Sequence, residues 1–456
     1  MNYLTTIVLL GTSALGSVAG VLGSFALLRR RALMGDLLSH AALPGLCLAF
    51  LVMGQRHFAG MLLGALLTGL AGVVLITIVC RFTRTREDAA LGIVLSTFFG
   101  AGIVLSSIIQ HRPDGGAKAG LESYIYGQAV GMNRQDLYLI AGVSLAALSI
   151  VAMLFKEFKV LSFDPGFARA QGWPTWTLDM AMMGTLALVT VIGLPAVGVV
   201  LMAAMLILPG ATARFWTDRL GPMLLLAGLI GGATGGFGTL LSAGVVKQWL
   251  GFDPLRFGDT ESNLPTGPVI VLSGTALFLF SVFFAPQRGV LARLWSEMRL
   301  RRKIGRENLL RTLYELSEPA LASPAEISID QLLRRRAWSR PRAHWLLWRA
   351  TRSGLVAWGP GGARLTQPGV AEAARLVRAH RLWELFLIRG AHIAPDHVDR
   401  DADAIEHLLT PELLGQLQTD LAAAGVAAVQ IPPSPHDLSR PDLSASTEPD
   451  EEPPRV

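Results

Sequence analysis

Asp36 and His40 stand four residues apart in the run RRRALMGDLLSHAALPG, residues 29–45. On a helix that spacing puts a carboxylate and an imidazole on one face, one turn apart. Such a pair suits a borderline divalent cation, because manganese, iron and zinc all accept mixed oxygen and nitrogen ligands. Two ligands alone make a transient site that can release its ion. The surrounding run is apolar enough to cross a bilayer, where ionisable side chains are costly and mark ion paths or relays. The competing reading is a buried Asp–His pair that only ties helices together.

The elements that must carry this pair are membrane helices. The chain has 456 residues, is 51% hydrophobic and only 16% charged, with a mean hydropathy of +0.45. That excludes an ordinary soluble protein and fits a polytopic membrane protein with a polar appendage. Residues 1–286 hold nearly all the long apolar runs, whereas 287–456 reads as a soluble, Arg-rich region with a Pro/Asp/Glu tail. Cys47 and Cys80 both fall in apolar segments and read as buried small residues, not as a disulfide or a zinc pair. The first apolar run has no basic region before it and leads into further spans, so it is expected to be a span and not a cleaved signal.

Nine spans are expected, near 4–28, 33–53, 59–80, 89–109, 136–155, 177–194, 196–213, 221–243 and 267–285. The sixth and seventh meet at Gly193-Leu194-Pro195, a tight turn or a break. With the first loop inside, cytoplasmic segments hold Arg29, Arg30, Arg31, Arg81, Arg84, Arg86, Lys156, Lys159, Arg169, Arg214 and Arg219. The opposite loops hold Arg56, Arg112, Lys118, Arg134, Lys247 and Arg256. The bias predicts an external N-terminus and a cytoplasmic C-terminal domain. The basic run Arg299 to Lys303 agrees. Glycine-dense stretches such as 228–238 read as close helix packing.

The soluble part begins near Gly305. Helices are predicted over 306–318, 326–336 and 341–353, then two short strands around Pro360-Gly361-Gly362, then a long amphipathic helix over 368–389. Two more helices are expected over 396–409 and 411–424. Three helices, a β-wing and a further helix make a winged-helix domain. After about residue 432 the composition predicts disorder.

The blocks MGDLLSHAALPG, ALGIVLSTFFGAGIVL (90–105), FDPGFARAQGWP (163–174), VGVVLMAAMLILPGATAR (197–214) and PTGPVIVL (265–272) follow one another in order. In this order they resemble the permease subunits of manganese/zinc/iron-type ABC importers, over residues 1–286. The resemblance implies that Asp36 and His40 line the metal route. It also implies that 163–172 is the loop that touches the ATPase, with Asp164, Ala168, Arg169 and Gly172 matching the pattern. Read without it, that segment is a short amphipathic loop with Asp164-Pro165 as a helix start. No G-x-x-x-x-G-K-[ST] occurs, so the chain is expected to be no enzyme and to hydrolyse no ATP itself. The resemblance implies a separate cytoplasmic ABC ATPase, an external metal-binding solute-binding protein and a second permease subunit, the same or homologous. Asp253, Asp259 and Glu261 in the outer loops are either part of that reception or plain solvated charge.

The segments 363–388, 396–417 and 431–441 resemble the diphtheria-toxin-repressor type of metal-dependent regulator. This second resemblance implies metal ligands at His380, Asp403, Glu406 and His407. Asp403, Glu406 and His407 share a helix face at i, i+3 and i+4, and His380 with Glu384 repeats the i, i+4 spacing. The chain departs from the family in the first helix of the winged-helix unit. Asn308 and Arg311 stand where acidic or soft ligands are expected, and an arginine there repels a dication. Arg340, Arg342 and His344 form a basic helix, but Pro341, Trp345 and Trp348 make it bulky and the domain is tethered, so DNA is not expected as a partner.

The fold expected is an all-α polytopic membrane protein of about nine transmembrane helices, with a C-terminal cytoplasmic winged-helix plus helical domain. Its parts are a permease domain at 1–286, a basic linker at 287–304, the regulator-like domain at 305–432 and a tail at 433–456. The function expected is a bacterial inner-membrane permease for manganese, zinc or iron, the ion being substrate, with no covalently bound cofactor, and with a fused cytoplasmic domain that senses metal and gates import or steadies the complex. The alternative is a membrane-tethered, metal-responsive DNA-binding regulator. A permease for metal chelates or cobalamin-like cofactors would need a wide apolar path without the Asp–His pair.

Overall fold

A computed structural model describes residues 3–54, 57–111, 127, 131–244, 265–318, 326–336, 338–390 and 412–413, 415–417 and 419. It divides into two compact units, Met1–Arg293 and Leu294–Val456.

The elements of the first unit among the described residues are all helices. The long apolar helices are α1 (Tyr3–Leu28), α2 (Met34–Met53), α3 (Phe58–Phe82), α4 (Glu87–Gln110) and α5 (Arg134–Met153). Two short helices, α6 (Phe155–Phe163) and α7 (Pro165–Ala170), precede α8 (Thr175–Val197) and α9 (Val199–Trp216). The unit continues with α10 (Leu220–Ser242) and α11 (Thr266–Phe284). Among the described residues eight helices are long and apolar enough to span a membrane, and α9 supplies a shorter apolar helix. The expected nine apolar elements are therefore all helices, α9 being the shortest at 18 residues.

The sixth and seventh elements do not part at Gly193-Leu194-Pro195. Helix α8 runs through Pro195 to Val197, and the break falls at Gly198, whose φ of 81° only glycine adopts without strain. Proline near a helix end costs one hydrogen bond; the left-handed glycine is what stops the helix.

Helix α1 forms the packing axis. It lies along α10 and also touches α9, α5 and α8, while α2 lies between α3 and α4. At the α1–α10 crossing a Cβ on Gly16 would meet the Gly231 carbonyl oxygen at 2.2 Å, so both backbones approach through glycine. At the end of α1, Phe25 meets Phe158 of α6 edge to face, with ring centroids 5.8 Å apart.

The second unit holds a long helix α12 (Val290–Ser317), then α13 (Ile329–Arg335), α14 (Arg340–Arg352), β1 (Val356–Gly359), β2 (Gly362–Leu365) and α15 (Gln367–Gly390). Residues 290–304 of the expected linker are thus the first half of a helix. The strands pair antiparallel with Val356 opposite Leu365, and Ile327 bridges Ala363 at the wing's edge. Ser328 and Gln331 form a capping box that starts α13. Leu309, Leu313, Leu347, Val356, Ala363 and Val377 close one core. This is the expected winged helix. The expected helix at 396–409 and the tail lie outside the described residues, and that at 411–424 mostly does.

Candidate functional site

Asp36 sits in the first turn of α2, where the positive end of the helix dipole favours an anion. His40 Nε2 lies 3.4 Å from Asp36 Oδ1. Two ligand atoms each about 2.1 Å from one tetrahedral ion stand about 3.4 Å apart, a separation that a direct Asp–His ion pair gives as well. The two side chains are partly open, His40 at 24% and Asp36 at 36% exposure, while Leu37, Leu38, Ala41 and Ala42 on the other faces are fully buried. The His40 ring meets Phe99 of α4 edge to face, with centroids 4.8 Å apart. One turn on, Pro44 has no N–H to give the His40 carbonyl, so that carbonyl lacks its i+4 donor within the helix.

A cluster of charges positions α2. Arg29 and Arg31, in the turn before it, both pair with Asp179 at the start of α8, and Arg31 also pairs with Glu87 at the start of α4. Arg30 between them takes a φ of 60°, which non-glycine residues rarely adopt. The flanking ion pairs over-determine that turn. The triple arginine was visible in the sequence; its partners were not. Asp179, a lone acid in an apolar segment, was the available signal.

In the segment 163–172, Asp164 caps α7 by accepting from the Phe167 N–H at 2.8 Å, with Pro165 in the first turn. Ala168 is buried, and Arg169 Nε donates to the Pro165 carbonyl at 3.2 Å. Gly172 turns the chain with a φ of 78°. The consequence is outward: Phe163 and Phe167 are 56% and 51% exposed, and Trp176 just beyond is 57% exposed. These aromatics were not singled out from the sequence. Their spacing around a capped short helix was the signal.

In the second unit, His380 and Glu384 come together as spaced, with His380 Nε2 3.2 Å from Glu384 Oε1. Asp403, Glu406 and His407 lie outside the described residues. Among the described residues no group of three or more His, Cys, Asp or Glu gathers at one point. Arg311 of α12 faces the pair instead, its Nη1 2.8 Å from His380 Nδ1. A guanidinium in hydrogen-bond contact with a would-be ligand nitrogen does not fit a dication at this pair. On α14, Arg349 and Arg352 lie over the rings of Trp345 and Trp348, and Arg340 pairs with Asp330 at 2.9 Å.

Residues 1–249 match the model of the ABC 3 transport family. The chain belongs to the ABC 3 transport family. Within this ABC 3 protein a second match covers residues 366–424, to the iron dependent repressor, metal binding and dimerisation domain. It is 40% identical to the manganese transport system membrane protein MntC of Bacillus subtilis, over 86% of each chain. It is also 40% identical to the zinc transport system membrane protein TroC of Treponema pallidum, over 66% of this chain and 95% of that one. Among solved structures it resembles PsaBC from Streptococcus pneumoniae in complex with Fab, with a TM-score of 0.51 and 30% identity. That match covers 63% of this chain and 94% of the other.

Proposed function

We propose that this chain is the membrane-spanning permease subunit of an ABC importer for a divalent transition metal, manganese, zinc or iron. Asp36 and His40 hold the ion in transit. The observation that carries the reading is their 3.4 Å separation on a partly open face of a spanning helix. A lone chain would turn an acid and an imidazole toward hydrocarbon there, which is costly. A second permease subunit across that face would enclose them in a shared path. The relatives named for manganese and zinc transport support the substrate class.

The segment 163–172 receives an ATPase, which supplies the energy that this chain does not generate. Asp164 and Gly172 fix the ends of α7, Ala168 anchors it, and Arg169 with exposed Phe163 and Phe167 forms the contact face. Asp179, close behind in sequence, passes movement of that loop to Arg29 and Arg31 before α2. An external solute-binding protein delivers the ion. The chain lies in the bacterial inner membrane, N-terminus outside and C-terminal domain in the cytoplasm, as the distribution of basic residues predicts.

Uptake of radioactive manganese and zinc by cells carrying the complete transporter tests the path. Asp36→Ala and His40→Ala should each cut uptake about tenfold or more at equal membrane levels. Unchanged uptake in both variants would sink the assignment.

A further inference from the structure

The domain matched to a metal-binding regulator begins at residue 366, but the group that meets its His380–Glu384 pair comes from upstream, on α12. Arg311 Nη1 stands 2.8 Å from His380 Nδ1, and His380 Nε2 stands 3.2 Å from Glu384 Oε1. Arg311 Nε lies 3.3 Å from Glu315 Oε1, one turn further along α12. Next to this chain Arg381 holds Glu318 through two contacts of 2.9 and 2.6 Å. Arg311 and His380 are 3% exposed and Glu384 is 1% exposed, so the array is core, not surface.

We infer that Arg311 is a resident cation standing where this domain's metal ion would otherwise act, so that His380 and Glu384 bind no metal. The inference goes beyond the transport reading and does not depend on it.

The imidazole's own bonding carries the argument. Arginine has donors and no acceptor, and it stays protonated. A nitrogen in hydrogen-bond contact with it must therefore accept, which assigns the Nδ1 lone pair to Arg311. The other nitrogen then carries the hydrogen and donates it to the Glu384 carboxylate. A metal ligand needs an unprotonated nitrogen with a free lone pair, and His380 has none to give. The guanidinium adds a full positive charge at the same place, in a site with little water to screen it. Arg311 thus supplies the charge and the hydrogen bonds that would hold the pair around an ion, at all times and at any ion concentration. Feedback through His380 is then absent. The domain acts as a permanently set module of the permease, not as a switch thrown by metal at this pair.

The test uses the full-length chain in detergent, with Asp36→Ala and His40→Ala to remove the transport ligands, titrated with Co²⁺ and followed by visible absorption. With Arg311 in place, His380→Gln should change neither the number of ions bound nor the spectrum. Arg311→Glu should add one equivalent with a histidine–carboxylate spectrum, and His380→Gln on top should remove it. An ion that binds beside intact Arg311 and is lost with His380→Gln would overturn the inference, as would Arg311→Glu gaining none while folded. Should Arg311→Glu unfold, Arg311→Met serves, since it frees Nδ1 without inserting a charge. A further reading needs no change at Arg311. In ¹⁵N-histidine-labelled protein the His380 resonance, assigned by its loss in His380→Gln, should stay unbroadened by paramagnetic Mn²⁺; broadening to the extent of a direct ligand would refute the inference.

Discussion

Arg31 gives one guanidinium nitrogen to both oxygens of Asp179, at 3.0 and 2.9 Å. The contact joins the turn that launches the Asp36–His40 helix to the helix that follows the 163–172 segment. Asp179 also takes Arg29, so one carboxylate bridges two cations, of which Arg31 has Glu87 as a second partner, in a place where its own side chain is 13% exposed.

Removing that carboxylate takes from Arg29 its ion-pair partner at Asp179 and leaves Arg31 to Glu87. Asp179→Asn is expected to destabilise the chain by about 3 kcal/mol, in the range for breaking a buried ion pair. Thermal unfolding of the purified protein in detergent reads this, and Asp179→Glu should recover part of it. An unchanged melting temperature for Asp179→Asn would show that the cluster holds nothing together.

Pro44 offers a way to separate stability from transport. Proline inside a helix costs about 3 kcal/mol, so Pro44→Ala should raise thermal stability. The new N–H would also engage the His40 carbonyl, which in the proposed path would be withdrawn as an oxygen ligand for the ion. Metal uptake should then fall several-fold in a more stable protein. Full uptake would mean that the carbonyl plays no part.

The α1–α10 crossing tolerates no side chain. Gly16→Ala and Gly231→Ala would each place a Cβ within 2.2 or 2.1 Å of the partner's carbonyl oxygen, where no flexible side chain can give way. Each should cost roughly 1–3 kcal/mol. Gly142 of α5 meets nothing within 4 Å and serves as the control. Gly142→Ala is expected to be neutral or slightly stabilising, since alanine is the better helix former by about 1 kcal/mol. Equal losses at all three positions would contradict the packing argument.

On the proposal that 163–172 receives an ATPase, its cap and its exposed face make separable predictions. Asp164→Ala should cost about 1 kcal/mol of local helix stability, and Asp164→Asn should retain most of it. Phe167→Ala, at an exposed position, should leave the isolated permease as stable as before yet reduce co-purification with its ATPase severalfold. A pull-down that is insensitive to Phe167→Ala places the contact elsewhere.

Composition and pattern alone settled the architecture. Apolar runs of spanning length must fold as helices in lipid, because no water there satisfies an open backbone. The turn residues at Pro360 to Gly362 and the amphipathic period of 368–389 were enough to place the wing and its flanking helix. The spacing of Asp36 and His40, or of His380 and Glu384, likewise fixed which side chains share a face, since that follows from helical geometry within one element. The sequence also placed an arginine at position 311, where it argued against a dication.

What lay beyond one element needed the tertiary structure. Periodicity is silent about pairs far apart in the chain, such as Arg31 with Asp179, Phe99 with His40, or Gly16 with Gly231. The break between α8 and α9 falls at Gly198 and not at Pro195 because the positive φ that ends the helix is one that glycine adopts without strain, and which glycine adopts it is set by the packing. Most of all, only the packing of α12 on α15 set the Arg311 guanidinium against the His380 ring nitrogen. The sequence determined that an acid and an imidazole stand ready on two separate helices. The fold decided that Asp36 and His40 stay partly exposed while His380 meets the Arg311 guanidinium, because burial puts a specific neighbour, not solvent, at the second pair.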